Sequence, residues 1–390
     1  MKILLIHTYY TIRGGEDAVF EQETQKLSID NEVRTITFFN KNSLAGALQF
    51  LFSIWHSSAS KKVTNELREF KPDVVHIHNL HFAIGPLVIR KIKKLGVPLV
   101  LTLHNYRLIC PSATLLVKGE INTSSVKAEF PWNAVFNKAY RESYILTFWL
   151  AFTNWFHTKI GTWQKVDKYI VLTDFARQLY LSSSLNLAKT KLVVKPNFVV
   201  QNQYLENINK GDHFLFVGRL SDEKGIFVLL EAFKNSSYKL RIAGDGPLKE
   251  TVHKIATGMS NIVYLGRLEK QSVVEELTQC SALIFPSIWY EGMPMTIIEA
   301  LSLGTPVIAS NLGAMASMIN HGKNGLLFKY GNSKALLQQV DFWTSLNSKE
   351  KEDFYNDALA SYSKHYTVEK NLKMLNTIYQ NAIKAKKLKK

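Results

Sequence analysis

The fold of this chain is indicated most clearly by residues 213–225, HFLFVGRLSDEKG. The run HFLFV has no polar alternation after its first residue, which predicts a strand at 213–217 that is buried on both faces. Gly218 and Gly225 frame the turn that follows, and a helical pattern begins directly after it. A strand that passes through a short turn into a helix is the repeating unit of a parallel α/β sheet.

The same pattern recurs along the whole chain, and it predicts two parallel sheets covered by crossover helices. The predicted strands of the first half are residues 2–7, 33–38, 73–78, 98–104 and 168–173, and those of the second half are 213–217, 238–243, 261–265, 282–285 and 306–310. A length of 390 residues suits two domains of this kind.

A polar stretch at residues 195–213 separates the two halves and indicates a linker. We therefore expect an N-terminal domain at 1–205 and a C-terminal domain at 206–367. Residues 368–390 have the pattern of one basic helix, which we expect to pack back on the N-terminal domain.

Composition restricts where the protein works and what it binds. Cys110 and Cys280 are too few for a disulfide framework, which favours a reducing compartment. The N-terminus lacks the long apolar core of a signal peptide, and no apolar run is long enough to span a membrane. We therefore expect a cytoplasmic protein. The net charge of +16 suits nucleic acid, anionic lipid or phosphorylated small molecules as partners and does not choose among them.

The turn after strand 213–217 carries the first candidate site. Arg219 and Lys224 lie five residues apart between the framing glycines. At the carboxyl end of a parallel strand they can converge on one phosphate group, to which arginine offers a planar fork and lysine a compact charge. A solvated loop would have the same composition.

Two further loops have the composition of a binding site. Gly14 and Gly15 follow the first strand and precede a helix, where backbone amides can approach an anion, although a tight turn alone would explain them. Glu291 and Glu299 lie eight residues apart. That spacing predicts two carboxylates on one helical face, about two turns apart, with Gly292 and Pro294 placing Glu291 at the helix entrance. Such carboxylates can bind hydroxyl groups at both ends of a ligand, although surface carboxylates at this spacing are also common.

These motifs occur in the order and spacing of a known family. They are Gly218-Arg219 with Glu223-Lys224-Gly225, Gly244-Asp245-Gly246-Pro247, Pro286-Ser287 with Glu291-Gly292 and Glu299-Ala300, Gly304-Thr305-Pro306-Val307, and Asn324-Gly325. Together they resemble the family 4 retaining glycosyltransferases. The resemblance implies an α/β fold of the GT-B class, in which two Rossmann-like, doubly wound domains face each other across a cleft.

The N-terminal half narrows the resemblance. Residues 13–17, RGGED, the pair His78-Asn79 and residues 104–111, HNYRLICP, are similar to a branch that assembles bacterial surface polysaccharides. The resemblance implies transfer of a sugar, with retention of configuration, from a nucleoside-diphosphate sugar to a growing glycan or a lipid-linked acceptor. It implies no cofactor and no metal, since no Asp-x-Asp cluster is present to hold one.

Roles for individual residues follow from the resemblance. Arg219 and Lys224 hold the donor diphosphate, Glu291 contacts the transferred sugar, and His104 lies near the reacting face of that sugar. Glu299 binds the ribose hydroxyls, and Gly14 and Gly15 line the opposite wall. The remaining residues expected to bind substrate are Gly218, Arg267, Gly292, Met293 and Pro294.

Two features depart from the pattern. Many relatives have Phe-Gly where this chain has Met293-Pro294, and Pro294 cannot donate an amide hydrogen to the sugar. In addition, His76, His78 and His81 crowd one strand end. These histidines could hold a metal, but we expect alternating histidines to point to opposite faces, and we favour a packing or acceptor-side role.

An aromatic stretch leaves two interpretations open. Residues 132–163 contain Trp149, Phe152, Trp155 and Phe156 among Lys138, Arg141, Lys159 and Lys165. Apolar side chains flanked by basic ones are typical of proteins that rest on an anionic bilayer, here the inner face of the cell membrane. A core helix with basic edges explains the same pattern.

Other functions fit less well. A sugar-nucleotide epimerase or hydrolase of the same fold would share the diphosphate site and would need no acceptor. A nicotinamide dehydrogenase is disfavoured because no G-x-G-x-x-G follows a strand. No recognised nucleic-acid-binding module is present, so we expect no nucleic-acid partner.

Overall fold

The computed structural model describes residues 1–11, 13–201 and 210–387. The chain divides into two compact units. Unit 1 comprises Met1–Lys118, Asn122–Asn197 and Glu369–Lys390, and unit 2 comprises Gly119–Ile121 and Phe198–Val368. The division falls between Asn197 and Phe198, whereas the boundary expected near residue 205 lies outside the described residues.

Unit 1 is built on a six-stranded sheet in which every neighbouring pair is parallel. Its strand order is β2-β1-β3-β4-β7-β8. The strands up to Asn197 are β1 (Lys2–Tyr9), β2 (Glu32–Phe39), β3 (Val74–Ile77), β4 (Leu99–Leu103), β5 (Leu116–Val117), β6 (Glu120–Ile121), β7 (Lys168–Val171) and β8 (Leu192–Val194).

Helices connect these strands, as parallel pairing requires. They are α1 (Gly15–Leu27), α2 (Ser43–Phe52), α3 (Ser57–Phe70), α4 (Leu87–Lys94), α5 (Ser124–Lys127), α6 (Trp132–Phe136), α7 (Tyr144–Lys159) and α8 (Asp174–Leu181). The longest apolar candidate, α7, has 16 residues. Within the described ranges, no helix is long and apolar enough to cross a membrane.

Unit 2 repeats the architecture with the strand order β11-β10-β9-β12-β13-β14, again parallel throughout. The strands are β9 (Phe214–Val217), β10 (Leu240–Ala243), β11 (Ile262–Gly266), β12 (Ala282–Phe285), β13 (Val307–Ser310) and β14 (Gly325–Phe328). The helices are α9 (Ile226–Phe233), α10 (Lys249–Thr257), α11 (Lys270–Gln279), α12 (Met295–Ser302), α13 (Gly313–Met318), α14 (Ser333–Ser345) and α15 (Ser348–His365).

The last helix, α16 (Val368–Lys387), packs on the sheet of unit 1. Its residues Leu375, Ile378, Tyr379 and Ala382 recur at the spacing of one helical face. All four are buried in one core cluster with apolar residues of β1, β3, β4 and β7. Burial of this stripe covers one face of the sheet.

All ten predicted strands are present, with ends that agree within two residues. The sequence patterns missed the edge strands β8 and β14, which have three and four residues. Short edge strands give a weak periodic signal, because too few residues alternate or cluster to stand out from a loop.

Candidate active site

The sheet of unit 2 has a topological switch point between β9 and β12. From β9 the chain winds outward through β10 and β11, and it then returns to place β12 on the other side of β9. Ligands of open parallel sheets bind at the carboxyl ends of the strands where the winding reverses. The loops that follow β9 and β12 carry the residues expected to hold the donor, Lys224 and Glu291 among them.

Lys224 and Glu291 form an ion pair at this switch point. The Lys224 Nζ donates to Glu291 Oε1 at 2.6 Å, although the two residues are 67 positions apart. The hydroxyl of Ser287 lies 2.8 Å from the same carboxylate oxygen. The side chains of Lys224 and Glu291 are 20% and 9% exposed. A cation and an anion are therefore held together where both are mostly removed from water, and their mutual attraction is stronger there than at the surface.

Backbone contacts hold the two loops in register. The Ile288 amide donates to the carbonyl oxygen of Glu223 at 2.9 Å. Gly225 has a φ of 73°, and a Cβ atom at this position would lie 2.0 Å from the carbonyl oxygen of Pro286. Only glycine permits this backbone conformation and this approach, so Gly225 is required for the position of Lys224.

The expected helical relationship between Glu291 and Glu299 is wrong. Helix α12 begins at Met295, with Pro294 as its N-cap, so Glu291 lies in the loop before the helix and only Glu299 lies within it. Met293 is buried, whereas Glu299 is half-buried. Burial raises the pKa of Glu299, and the nearby Lys270 acts in the opposite direction.

The two arginines expected to bind the donor are exposed at the same edge of the sheet. Arg267 directly follows β11, and Arg219 follows β9 with one residue, Gly218, between them. The two glycines Gly218 and Gly292 lie in the loops after β9 and β12. The carboxyl edge of unit 2, which carries the Lys224–Glu291 pair, therefore also presents two exposed arginines.

The sheet of unit 1 has its own switch point, between β1 and β3. After β1, Gly14 immediately precedes α1, and its amide donates to Asp17 Oδ2 at 2.9 Å. The other oxygen of that carboxylate lies 2.7 Å from His7 Nε2, and both side chains are fully buried. The sequence patterns did not single out this His7–Asp17 pair, which fixes the start of α1 against the sheet.

Gly14 is not required by the fold in the way that Gly225 is. Its φ of −118° is available to any residue, and a Cβ atom built on it meets nothing within 4 Å. Gly14 and Gly15 are both exposed. The structure around Gly14 leaves room for a ligand to approach the backbone at the N-terminus of α1.

Glu16 is a candidate that the sequence patterns missed. It lines one small pocket together with His78, Asn79, His104 and other residues that follow β3 and β4. The amide of Asn79 donates to Glu16 Oε1 at 3.1 Å. Burial, together with the neighbouring Asp17 carboxylate, raises the pKa of Glu16 to about 8, while Arg107 acts in the opposite direction. Glu16 is thus mostly protonated at neutral pH and can donate a hydrogen bond there.

His104 lies directly after β4, in contact with His78, which directly follows β3. Its Nε2 atom is 3.3 Å from Nδ1 of His78. Burial lowers the pKa of His104 to about 3, so its imidazole ring is neutral at physiological pH. A neutral ring can donate one hydrogen bond and accept another, which suits contact with an uncharged sugar hydroxyl.

The expectation that His76 and His78 point to opposite faces is wrong. Residues two apart in a strand lie on the same face, and the two ring centroids are 4.2 Å apart. His76 contacts the hydroxyls of Tyr379 at 2.8 Å and Thr102 at 2.7 Å. Tyr379 belongs to α16, so this histidine helps to join that helix to the sheet.

Glu23, His76 and His78 form the group of potential metal ligands found within the described ranges, with ligand atoms within 4.8 Å of one another. The Lys195 Nζ, however, donates to Glu23 Oε1 at 2.6 Å and to Asn371 Oδ1 of α16 at 3.1 Å. An ammonium group thus already balances the buried carboxylate. These contacts assign the group a structural role in holding α16.

The two parallel-sheet α/β domains have the architecture of the GT-B fold, which solved glycosyltransferase structures share. The family described as glycosyl transferases group 1 matches residues 202–361, and glycosyltransferase family 4 matches residues 18–202. The chain belongs to these family 4-like glycosyltransferases.

Individual proteins show the same relationship. An uncharacterized glycosyltransferase of Methanocaldococcus jannaschii is 24% identical over 393 residues, covering 97% of this chain and 98% of that protein. The O-antigen chain mannosyltransferase C of Escherichia coli is 27% identical over 224 residues, covering 53% of this chain and 60% of its own. The crystal structure of Anabaena HepE in complex with UDP-glucose superimposes with a TM-score of 0.67 at 17% identity, over 99% of both chains.

Proposed function

We propose that this glycosyltransferase is a retaining enzyme that moves a sugar from a nucleoside-diphosphate sugar to a growing glycan or lipid-linked acceptor of a bacterial surface polysaccharide. Unit 2 would bind the donor and unit 1 the acceptor. Two similar proteins support this proposal: one is an O-antigen chain mannosyltransferase, and the other was crystallised with UDP-glucose.

The observation that carries the proposal is the Lys224–Glu291 pair at the switch point of unit 2. A diphosphate brings more negative charge than one carboxylate, so it would draw Lys224 into a new ion pair while Glu291 turns to accept hydroxyl hydrogens of the sugar. Arg219 is exposed in the same loop as Lys224 and can form a planar, bidentate contact with a phosphate. The carboxylate thus holds the lysine ready until the donor arrives.

The proposed reaction breaks the bond between the anomeric carbon and the diphosphate oxygen. A bond from the acceptor oxygen to the anomeric carbon forms on the same face of the sugar, and the acceptor proton passes to the departing phosphate. Negative charge develops on the leaving group, and fixed cations stabilise such charge most where water is excluded. Arg219 and Lys224 would supply that charge, so we propose a metal-independent transfer.

We also propose that the protein is cytoplasmic and rests on the inner face of the cell membrane, where a lipid-linked acceptor would be found. Exposed apolar side chains of α6 and α7 support this, among them Trp132, Phe136 and Ile145 at 51%, 68% and 79% exposure. Cosedimentation with phosphatidylglycerol vesicles at low salt, and release at high salt, is the expected result. Equal recovery in the supernatant with anionic and neutral vesicles would refute it.

The experiment that tests the function begins with donor binding. Purified protein is screened against UDP-, GDP- and TDP-sugars by thermal shift, and a donor at a hundredfold excess over its Kd should stabilise the fold by about 2.7 kcal/mol. Lys224→Ala should abolish the shift. Lys239→Ala is the control. Lys239 is also a lysine of unit 2 with a carboxylate partner, Asp212, but both side chains of that pair are mostly exposed, at 65% and 72%.

Product analysis then separates the candidate functions. Transfer to an added glycan or lipid-linked acceptor, with the anomeric configuration of the donor retained in the product by NMR, is the expected outcome. Conversion of the donor to an epimer or to free sugar without any acceptor would instead identify a GT-B-fold epimerase or hydrolase.

A further inference from the structure

Unit 1 contains a cavity of about 650 Å³ that none of the proposed donor contacts uses. Its wall is formed by residues after β1, by the loop before α2 together with α2 itself, and by α7 with the turn before it. Phe50, Phe82, Tyr140 and Trp149 supply much of the lining, with ring centroids of the first three within 6.3 Å of one another. The volume is in the range of sites that bind small molecules.

Helix α2 shows that this wall is apolar without being part of a core. Its sequence, SLAGALQFLF, is rich in apolar residues, yet the helix buries none of them. Leu51 lines the cavity and is 49% exposed, and Phe50 lines it beside Leu51. Contiguous exposed apolar side chains of this size mark a binding surface in a soluble domain.

Helix α7 has the same arrangement on the other wall. It buries Thr147, Thr153 and His157 among its inward residues, while Ile145 is 79% exposed and Phe148 is 39% exposed. Leu150 and Ala151 are buried as well, but Ile145 and Phe148 are large apolar side chains that face the cavity and not the core. The Trp149 Nε1 donates to the carbonyl oxygen of Phe50 at 2.9 Å, so α7 is held against α2.

The charged residues in the wall are all basic. Lys41, Arg107 and Arg141 line the cavity, and its described lining residues include no aspartate or glutamate. The Arg107 guanidinium lies 5.3 Å from the ring centroids of both Phe82 and Tyr140. The wall therefore complements an anion attached to an apolar group.

Arg107 is the residue that points most directly to a ligand. It is 8% exposed, and its Nε atom has no hydrogen-bond partner among the described residues. A buried N–H group without a partner costs free energy that an acceptor oxygen would recover. Glu16 interacts electrostatically with Arg107, but with a pKa of about 8 it carries little charge at neutral pH.

The position of Arg107 connects the cavity to the candidate active site. The loop after β4 places Arg107 in the cavity and His104 in the small pocket. The segment after β1 likewise places Tyr10 in the cavity and Glu16 in the small pocket. A phosphate bound at Arg107 would therefore lie at the carboxyl edge of the sheet. The apolar part of the same molecule would extend along α2 and α7.

We propose that this cavity binds a lipid phosphate, with its phosphate or diphosphate on Arg107 and Arg141 and its hydrocarbon chain between α2 and α7. This inference rests on the proposed function, because the lipid would be the carrier of the acceptor glycan. A neutral lipid would leave three cations unmatched, and a free phosphate would leave the apolar wall exposed to water.

The test uses dodecyl phosphate, titrated below its micellar concentration into the full chain and followed by tryptophan fluorescence, since Trp149 lines the cavity. Dodecanol and inorganic phosphate are titrated in parallel, and each should bind much more weakly. Arg141→Gln should weaken binding of dodecyl phosphate about tenfold, the effect of one charge-assisted contact. Phe148→Ser should weaken binding of dodecyl phosphate and dodecanol alike.

Arg68→Gln is the matched control, because Arg68 is an exposed arginine of α3 outside the cavity and its loss should leave binding unchanged. Arg107→Gln is a second variant, compared only after its melting curve matches the unmodified chain. The proposal is overturned if dodecyl phosphate binds no more tightly than dodecanol, or if Arg141→Gln behaves like Arg68→Gln. Binding to phosphatidylglycerol vesicles without binding of monomeric dodecyl phosphate would also overturn it, and would assign this face to the membrane surface.

Sugar-nucleotide binding, measured in the same samples, separates the two proposals. Donor binding without dodecyl phosphate binding overturns the lipid site and leaves the glycosyl transfer standing. Dodecyl phosphate binding without any donor binding supports the cavity assignment and contradicts the proposed function.

Discussion

Lys224 and Glu291 meet as an ion pair, with Nζ and Oε1 2.6 Å apart, across the switch point of the second sheet. Each side chain is mostly removed from water. A substitution of either residue therefore acts on the other, because it leaves a partly buried charge without its partner.

Lys224→Ala should lower turnover on the order of 10²–10³-fold, since one fixed contact to the leaving group is lost. It should also cost about 1–3 kcal/mol of folding stability, because the Glu291 carboxylate loses its hydrogen-bonded partner. The double variant Lys224→Ala/Glu291→Gln should be less destabilised than the sum of the single variants. Urea denaturation of all four chains measures this, and additive losses would show that the pair is not coupled in solution.

Substitutions of Glu291 and Glu299 should change different kinetic parameters. Glu291→Gln should reduce kcat, because its contacts to the transferred sugar change during the reaction. Glu299→Ala should mainly raise KM for the donor, because the ribose hydroxyls do not change. Steady-state kinetics with varied donor measures both, and the reverse pattern would place the donor the other way round.

Gly14→Ala should leave the melting temperature nearly unchanged, because a Cβ atom there has an ordinary φ and open space around it. Activity should fall if substrate approaches this backbone, as the resemblance to the family implies. Gly225→Ala is the contrasting variant and should destabilise the fold, because its Cβ would lie 2.0 Å from a carbonyl oxygen. Unchanged activity in Gly14→Ala would remove Gly14 from the site.

Glu16 predicts a pH dependence of stability. Its pKa is raised from 4.5 to about 8, so the folded chain binds this proton more tightly than the unfolded chain does. The stabilisation is complete below about pH 4.5 and is lost as the pH rises through about 8. Glu16→Gln should therefore gain in melting temperature relative to the unmodified chain over this window. Asp30→Asn, at an exposed carboxylate, should follow the unmodified chain, and a constant difference for Glu16→Gln would contradict the shift.

Lys195→Met should cost about 3–5 kcal/mol, because it leaves the buried Glu23 carboxylate unpaired beside α16. Lys2→Met removes a comparable pair with Glu32, but that pair is about half exposed and should cost less than about 1 kcal/mol. Chemical denaturation compares the two. Equal losses would show that the Glu23–Lys195 pair does not stabilise the packing of α16.

Much of the architecture could be predicted because a buried parallel strand is a short apolar run, which can be recognised without knowing which strands lie next to it in the sheet. The run FLFV at β9 and the glycines around the next turn are local features, and the structure has them where the sequence placed them. The prediction that Glu291 and Glu299 share one helical face was wrong, because a spacing of eight residues matches two helical turns only if the helix includes both residues. Pro294 is the N-cap of α12, and the helix excludes Glu291.

The sequence by itself determined the class of fold, ten of the strands and the loops that carry Arg219, Lys224 and Glu291. Only the tertiary structure decided that Lys224 pairs with Glu291, that Lys195 balances Glu23, and that the Arg107 guanidinium lies near the rings of Phe82 and Tyr140. The physical reason is that strand and turn formation depends on neighbouring residues, whereas the two ion pairs join residues 67 and 172 positions apart and the contacts of Arg107 join residues 25 and 33 positions apart. Such contacts follow from the order of strands in the sheet, which no local pattern encodes.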